Sequence, residues 1–418
     1  MSMSRGIIRS MGIYTFSNVI NAGIPFLLLP LLTSYLSTED YGILSNFNAL
    51  ANIMIPLIGV NLMSSVQVQF LKEEVDFKAY VTTGFAFNIL LTILFLAILA
   101  MFGSPISAMT GVPISFLFLA GLYGLFNTVI EVLLAVWRME NKSWNYGVFR
   151  ISRTMMEITL VFVLVILLRL DFSGSIYAML WSYGFATMTA FMILFRKNML
   201  WGTFRKDYLR HVTTYGIPLI PHSLSAVVIM YADKLILTHY HGLSANGIYS
   251  VGFMVGQLIG LLQNSFNQAW VPWVFQKLKG GIQEDKVKMV KITYLYFLGI
   301  LVAVVVLWCI LPYIYLLFGK DFQHGKEMVL WVALGFAFNG MYKMVSVYIF
   351  YLERTGIIAL GTVIAALMNV SLSLTFIPDF GAKGAAYAQM ISMFILFIAT
   401  WMISARLMKM PWNLWPGR

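Results

Sequence analysis

The sequence predicts an all-α integral membrane protein of about twelve transmembrane helices in two six-helix halves, and three observations carry that expectation. Of 418 residues, 60% are hydrophobic and 11% charged, against about 25% charged in ordinary globular domains. The apolar residues gather into runs of about 20, the length a helix needs to cross the hydrocarbon core. Short motifs then recur six runs apart.

Counted on that length, the runs lie near 11–36, 42–68, 79–102, 114–137, 147–168, 174–195, 212–238, 246–274, 290–317, 327–350, 356–377 and 384–407. Turns are expected at Gly103-Ser-Pro105, Gly111-Val-Pro113 and Pro378-Asp-Phe-Gly381, where Gly and Pro punctuate the pattern. No connection is long enough to fold as a separate soluble domain. Arg5 and Arg9 precede the first run as in a signal peptide, but that run exceeds the about 7 to 15 residues of a secretory h-region. It is expected to remain as the first span.

The net charge of +11 would suit nucleic acid only if the basic residues shared a soluble face. Here they lie between apolar runs, so no nucleic-acid partner is expected. With a cytoplasmic N-terminus, 23 of the 28 Lys and Arg residues fall on the cytoplasmic side, which is the orientation the positive-inside rule selects. An even helix count returns the C-terminus to the same side. The single Cys309 can form no disulfide within the chain.

Tyr41-Gly-Ile-Leu-Ser45 matches Asn246-Gly-Ile-Tyr-Ser250 at an offset of 205, and Gly174-Ser-Ile-Tyr-Ala178 matches Gly384-Ala-Ala-Tyr-Ala388 at an offset of 210. Six spans is an even number, so both halves share one orientation and their pseudo-twofold runs along the membrane normal. The expected lobes are 1–204 and 205–418, flanking a central cavity.

Polar residues inside the runs are the candidates for function. The second and eighth runs hold Asn46, Asn48, Asn52, Asn61, Gln67 and Gln69, and Gln257, Gln263, Asn264, Asn267 and Gln268. Each amide either staples helices, a bond of about 0.6 to 2 kcal/mol, or lines a wet path. Their density in two repeat-related helices favours a hydrated cavity for a hydroxyl-rich solute. Asn52, Asn61, Gln257 and Asn264, with the cations Arg153 and Lys343, are the expected substrate pathway.

Glu131, Glu157, His222, Asp233 and Lys234 are the expected coupling or gating residues, because ionisable groups inside a membrane are expensive and tend to mark ion or substrate pathways. Glu131 and Arg153 stand equally far from a turn near Lys142, so they are expected to pair at equal depth, either structurally or as a titrating site. His222 follows Pro221 where a kink frees backbone carbonyls, and it either satisfies that backbone or takes part in gating. Asp233 is expected to face the cavity, with a structural cap as the alternative, whereas Lys234 can snorkel toward headgroups. The scattered histidines and lone cysteine form no metal site, and no glycine-rich nucleotide loop is present.

The order Pro25…Pro30…Leu36-Ser-Thr-Glu-Asp-Tyr-Gly42, then Tyr215-Gly-Ile-Pro-Leu-Ile-Pro221, Asp233-Lys234-Leu-Ile-Leu237 and Gly247-Ile-Tyr-Ser250, resembles the Wzx-type polysaccharide flippases of the multidrug/oligosaccharidyl-lipid/polysaccharide (MOP) exporter superfamily. Lys234 departs from that pattern, which often has Arg there, and this weakens a bidentate phosphate role. The resemblance implies a MATE-like fold and a non-enzymatic flippase without a cofactor. Its substrate would be an undecaprenyl-diphosphate-linked oligosaccharide, carried to the periplasmic leaflet of the bacterial inner membrane for O-antigen, capsule or a related glycan. Implied partners are that polyprenyl-linked sugar, membrane lipid, other polysaccharide assembly proteins and a coupling ion, H+ or Na+, if transport is ion-driven. A cation-coupled multidrug exporter of the same superfamily is the alternative. A membrane polysaccharide polymerase or acyltransferase is disfavoured, since no large extracytoplasmic loop or paired His and Asp is present.

Overall fold

A computed structural model describes Gly23 and residues 25–70, 72, 75–280 and 282–413. Half of the expected first run, 11–36, lies outside the described residues, which begin its helix as α1 (Pro25–Tyr35). Then follow α2 (Thr38–Gly59), α3 (Leu62–Phe70), α4 (Phe77–Thr110), α5 (Ile114–Met139), α6 (Ser143–Val161), α7 (Phe172–Arg196), α8 (Lys206–Gly216), α9 (Ile220–Gly256), α10 (Leu258–Gly280), α11 (Gln283–Tyr315), α12 (Lys326–Tyr351) and α13 (Thr355–Leu407). No strand occurs among the described residues.

Eight helical stretches among the described residues are long and apolar enough to cross a membrane. Two of them, Lys206–Gly280 and Thr355–Leu407, each contain two expected runs. The run at 147–168 is not among the eight, because α6 carries Arg150, Arg153 and Glu157 and ends in a π-helical turn at Phe162–Leu167.

Local chemistry sets the helix ends. Ser37 caps α2 by accepting from Asp40 N at 3.1 Å, while the Asp40 carboxylate accepts from Ser37 N at 3.2 Å, the reciprocal capping box. Glu39 and Asp40 also complement the positive end of the helix dipole. Gly111 closes α4 with φ +68, as expected of a left-handed cap. The turn expected at Gly103–Pro105 does not form: α4 runs through Pro105 to Thr110, since an apolar surrounding favours keeping backbone groups within the helix.

The internal repeat reappears in the backbone. Gly242 interrupts α9 with φ +84 and ψ 175, and 205 residues earlier Ser37 has ψ 164 ahead of α2. Gly381 interrupts α13 with φ +54 and ψ −133, and 210 residues earlier Asp171 has ψ −145 ahead of α7. In each pair the chain changes direction at the same repeat position, through a cap once and through a glycine once.

The chain forms two compact units, Met1–Tyr231 and Ala232–Arg418. The first keeps α8 and the beginning of α9, so its limit falls later than the end of the expected 1–204 lobe. Its core packs Tyr80, Val132, Leu133, Val136, Ala190 and Leu194 around α5. In the second unit α12 is the central helix, and Trp270, Val274, Met289, Met344 and Tyr348 bury one end of it. Helices apolar on all sides belong in such positions.

Candidate functional site

The first unit holds an amide- and hydroxyl-lined cavity of about 440 Å³. It exists because α2 breaks: Val60 and Asn61 both adopt left-handed backbone, φ +43 and +49, before α3 resumes. A β-branched residue there is costly and persists only when the surroundings hold it. Asn61 does the holding, donating to Gly216 O at 3.4 Å and accepting from Ser223 Oγ at 3.1 Å. It thereby ties the break after α2 to the kink between α8 and α9, a 3-10 turn at Ile217–Leu219, where the prolines had marked one. His222 lies exposed just beyond.

Asn52, Asn61, Ser64, Asn127, Thr128 and Glu131 face this space, with Ser223 beside them. Among the described residues Glu131 is the only ionisable group on the wall, and Arg138 pairs with it at 3.6 Å. The other polar groups on the wall are neutral donors and acceptors suited to hydroxyl groups, set among Ile55, Pro56, Leu62, Met63 and Val227. Asn52 and Asn61 were legible in the sequence; Asn127, Thr128 and Ser223 were not, because single polar residues in apolar runs carry no periodic signal.

The expected Glu131–Arg153 pair is not formed. Arg153 binds Glu157 one turn along α6 at 3.0 Å, lies over the Tyr183 ring at 4.3 Å, and borders a different groove, between α6 and α7. Equal depth fixes a residue's height on its helix and not its direction around it, and here the directions diverge.

The amides divide by role. Asn46 is wholly buried and donates to Thr110 O at 2.7 Å, Gln69 meets His211 Nε2 at 2.6 Å, and Gln263 donates to Asn339 at 3.0 Å. These are staples between helices. In the second unit Lys343 Nζ donates to Asn264 Oδ1 at 2.5 Å and makes no ion pair among the described residues. Gln257 stands at the break between α9 and α10.

Asp233 is completely buried inside the second unit rather than facing open space. Tyr249 OH donates to its Oδ2, and the Lys234 backbone N–H donates to Oδ1 at 2.9 Å, which satisfies a carboxylate that would otherwise be very costly to bury. Lys234 does not snorkel: it is 7% exposed and its ammonium rests 4.3 Å over the Phe253 ring, a cation–π contact. A cation held by an aromatic face inside its own unit has no need to reach the headgroups.

Apolar helices of spanning length, glycine breaks at repeat positions and a polar cavity define a multi-span, all-α membrane protein. Residues 7–278 match the family described as polysaccharide biosynthesis protein, and the chain belongs to that family. A curated relative, the Lsg locus putative protein 1 of Haemophilus influenzae, is 23% identical over 392 residues, covering 89% of this chain and 94% of the relative. Among solved structures, an inward-facing multidrug resistance MATE family transporter of the MOP superfamily matches with TM-score 0.73 at 14% identity, over 94% of each chain. The lipid II flippase MurJ, in an inward closed conformation, matches with TM-score 0.65 at 16% identity, over 96% of this chain and 87% of that one. At such identities the likeness establishes the fold, which is the MATE-like MOP fold expected from the sequence.

Proposed function

We propose that the protein is a flippase that moves an undecaprenyl-diphosphate-linked oligosaccharide from the cytoplasmic to the periplasmic leaflet of a bacterial inner membrane, for O-antigen, capsule or a related surface glycan. The observation that carries this reading is the cavity walled by Asn52, Asn61, Asn127 and Thr128, whose one carboxylate is already paired. Neutral amides and hydroxyls hold sugars by hydrogen bonds without demanding a charge on them. Lys343, with an amide oxygen as its partner, is the cation we assign to the diphosphate, since a charge-assisted bond to phosphate is stronger than its bond to Asn264. Membership of the polysaccharide biosynthesis family supports the substrate class, as does the likeness to a lipid II flippase.

Transport would proceed by alternating access, with the sugar taken into the polar cavity and the prenyl tail left in lipid. Both termini would be cytoplasmic. Asp233 and Tyr249 are assigned to the conformational cycle, either as a gate contact or as a site for a coupling H+. Deleting the gene and analysing the glycans tests the reading. Unpolymerised lipid-linked repeat units should accumulate on the cytoplasmic side, with drug susceptibility unchanged. Normal surface glycan with increased drug sensitivity would favour the multidrug exporter instead.

A further inference from the structure

Each unit also carries an apolar groove outside the amide-lined cavity, and the internal repeat relates the two. The first lies between α6 and α7 and has a volume of about 440 Å³. The second lies between the two segments of α13 and has a volume of about 190 Å³. At the 210-residue offset, Val148 falls on Ile358, Phe185 on Ile395 and Ile193 on Ile403, and all six residues line the grooves. Both grooves are open, with Phe185 61% exposed in one and Leu360 62% exposed in the other, so each presents apolar surface of the kind that lipid hydrocarbon covers on a membrane-spanning helix.

The repeat extends to their ends. One turn beyond Ile193 stands Arg196, and one turn beyond Ile403 stands Arg406, again 210 residues apart. Both arginines are exposed, in the last turn of α7 and of α13, and neither makes an ion pair among the described residues. Beside Arg196, Lys142 and Lys197 share the single carboxylate of Glu140, which leaves positive charge in excess. Arg354 and Lys409 are exposed near the corresponding end of the second groove.

We propose that each groove holds an acyl chain of an anionic glycerophospholipid whose phosphate binds Arg196 in the first unit and Arg406 in the second. An apolar trough ending one turn short of an unpaired guanidinium matches a chain joined to a phosphate, and the planar fork suits two phosphate oxygens. The duplication identifies the occupant as bulk lipid: a carrier with one translocation path needs one place for its cargo, whereas lateral lipid meets both units. This inference goes beyond the flippase reading, although its choice of bulk lipid over cargo rests on the single translocation path of that reading.

The test uses the purified full-length protein, titrated with phosphatidylglycerol or phosphatidylcholine and examined by native mass spectrometry. Two phosphatidylglycerol molecules should be retained, and phosphatidylcholine weakly. Arg196→Gln and Arg406→Gln should each weaken one site about fivefold, the effect of one basic residue at an anionic membrane surface, and the double variant should weaken both. Ile193→Trp, which fills the groove and keeps Arg196, should lose the same site as Arg196→Gln, whereas Arg196→Lys should keep most of it; a monodisperse elution profile excludes misfolding. Unchanged retention in the glutamine variants, or equal binding of phosphatidylcholine, overturns the proposal. Displacement of phosphatidylglycerol by equimolar undecaprenyl phosphate overturns it too, since the grooves would then belong to the transported lipid.

Discussion

Tyr249 donates a hydrogen bond to the carboxylate of Asp233 across the Gly242 break in α9, so one side-chain contact ties together the two segments that the glycine separates. The 205-residue offset places Leu28 and Leu44 at the corresponding positions, so this tie is peculiar to the second unit. On the gating assignment, Asp233→Asn should abolish glycan export at normal protein levels, with Tyr249→Phe reducing it. Wild-type export by Asp233→Asn in a complementation assay would return Asp233 to a structural role. Lys234→Arg should also be destabilising, because the larger guanidinium must fit a buried site, and overpacking costs about 1 to 3 kcal/mol.

The glycine breaks make a second prediction. Gly242 has φ +84 with ψ 175, and Gly381 has φ +54 with ψ −133, combinations that only glycine adopts readily. A Cβ at Gly242 would meet nothing within 4 Å, so the cost of Gly242→Ala is one of backbone conformation, about 1 to 3 kcal/mol. Asparagine should not rescue it, since asparagine favours a different positive-φ region. Gly299→Ala, also in open space but inside helix α11, should be neutral or stabilising by about 0.5 to 1 kcal/mol. Thermal unfolding in detergent separates these outcomes, and equal effects at positions 242 and 299 would contradict the backbone argument.

Much of this was legible in the sequence. Run lengths placed the helices, and the gaps they left at 238–246 and 377–384 bracket the breaks found at Gly242 and Gly381. What escaped depends on azimuth. Asn46 and Asn52 look alike in a list of amides, yet one is a wholly buried staple and the other faces a cavity. The break at Val60–Asn61 had no cue, since valine ordinarily argues against left-handed backbone.

Glu131 supplies a third prediction. If it pairs with Arg138 and not with Arg153, a double-mutant cycle on stability should give a coupling of about 0.5 kcal/mol for Glu131 with Arg138 and none for Glu131 with Arg153. The small value follows from the partial exposure of both side chains, 34% and 31%, which screens the pair. A coupling confined to Arg153 would reverse the assignment.

The connection between α5 and α6 carries a pH dependence. Partial burial pushes the Glu140 carboxyl up, but Lys197 at 2.5 Å and Lys142 at 3.0 Å more than offset this and hold it below its ordinary value. A carboxyl lowered by folding stabilises the protein above its unfolded value, roughly 4.3. That contribution is lost as pH falls through the lower, folded value. Glu140→Gln should therefore reduce Tm at neutral pH, with the difference from wild type vanishing toward strong acid. A deficit of constant size at every pH would show that the loss is not electrostatic.

The most direct measurement of the central claim is leaflet transfer in reconstituted vesicles. Purified protein is inserted into liposomes carrying a labelled undecaprenyl-diphosphate oligosaccharide, and the fraction accessible to an external, membrane-impermeant glycosidase is followed in time. The flippase reading predicts that the protein exposes the protected pool much faster than protein-free vesicles do. Transfer no faster than in empty vesicles, from protein that is folded and does extrude cationic drugs under an ion gradient, would contradict it.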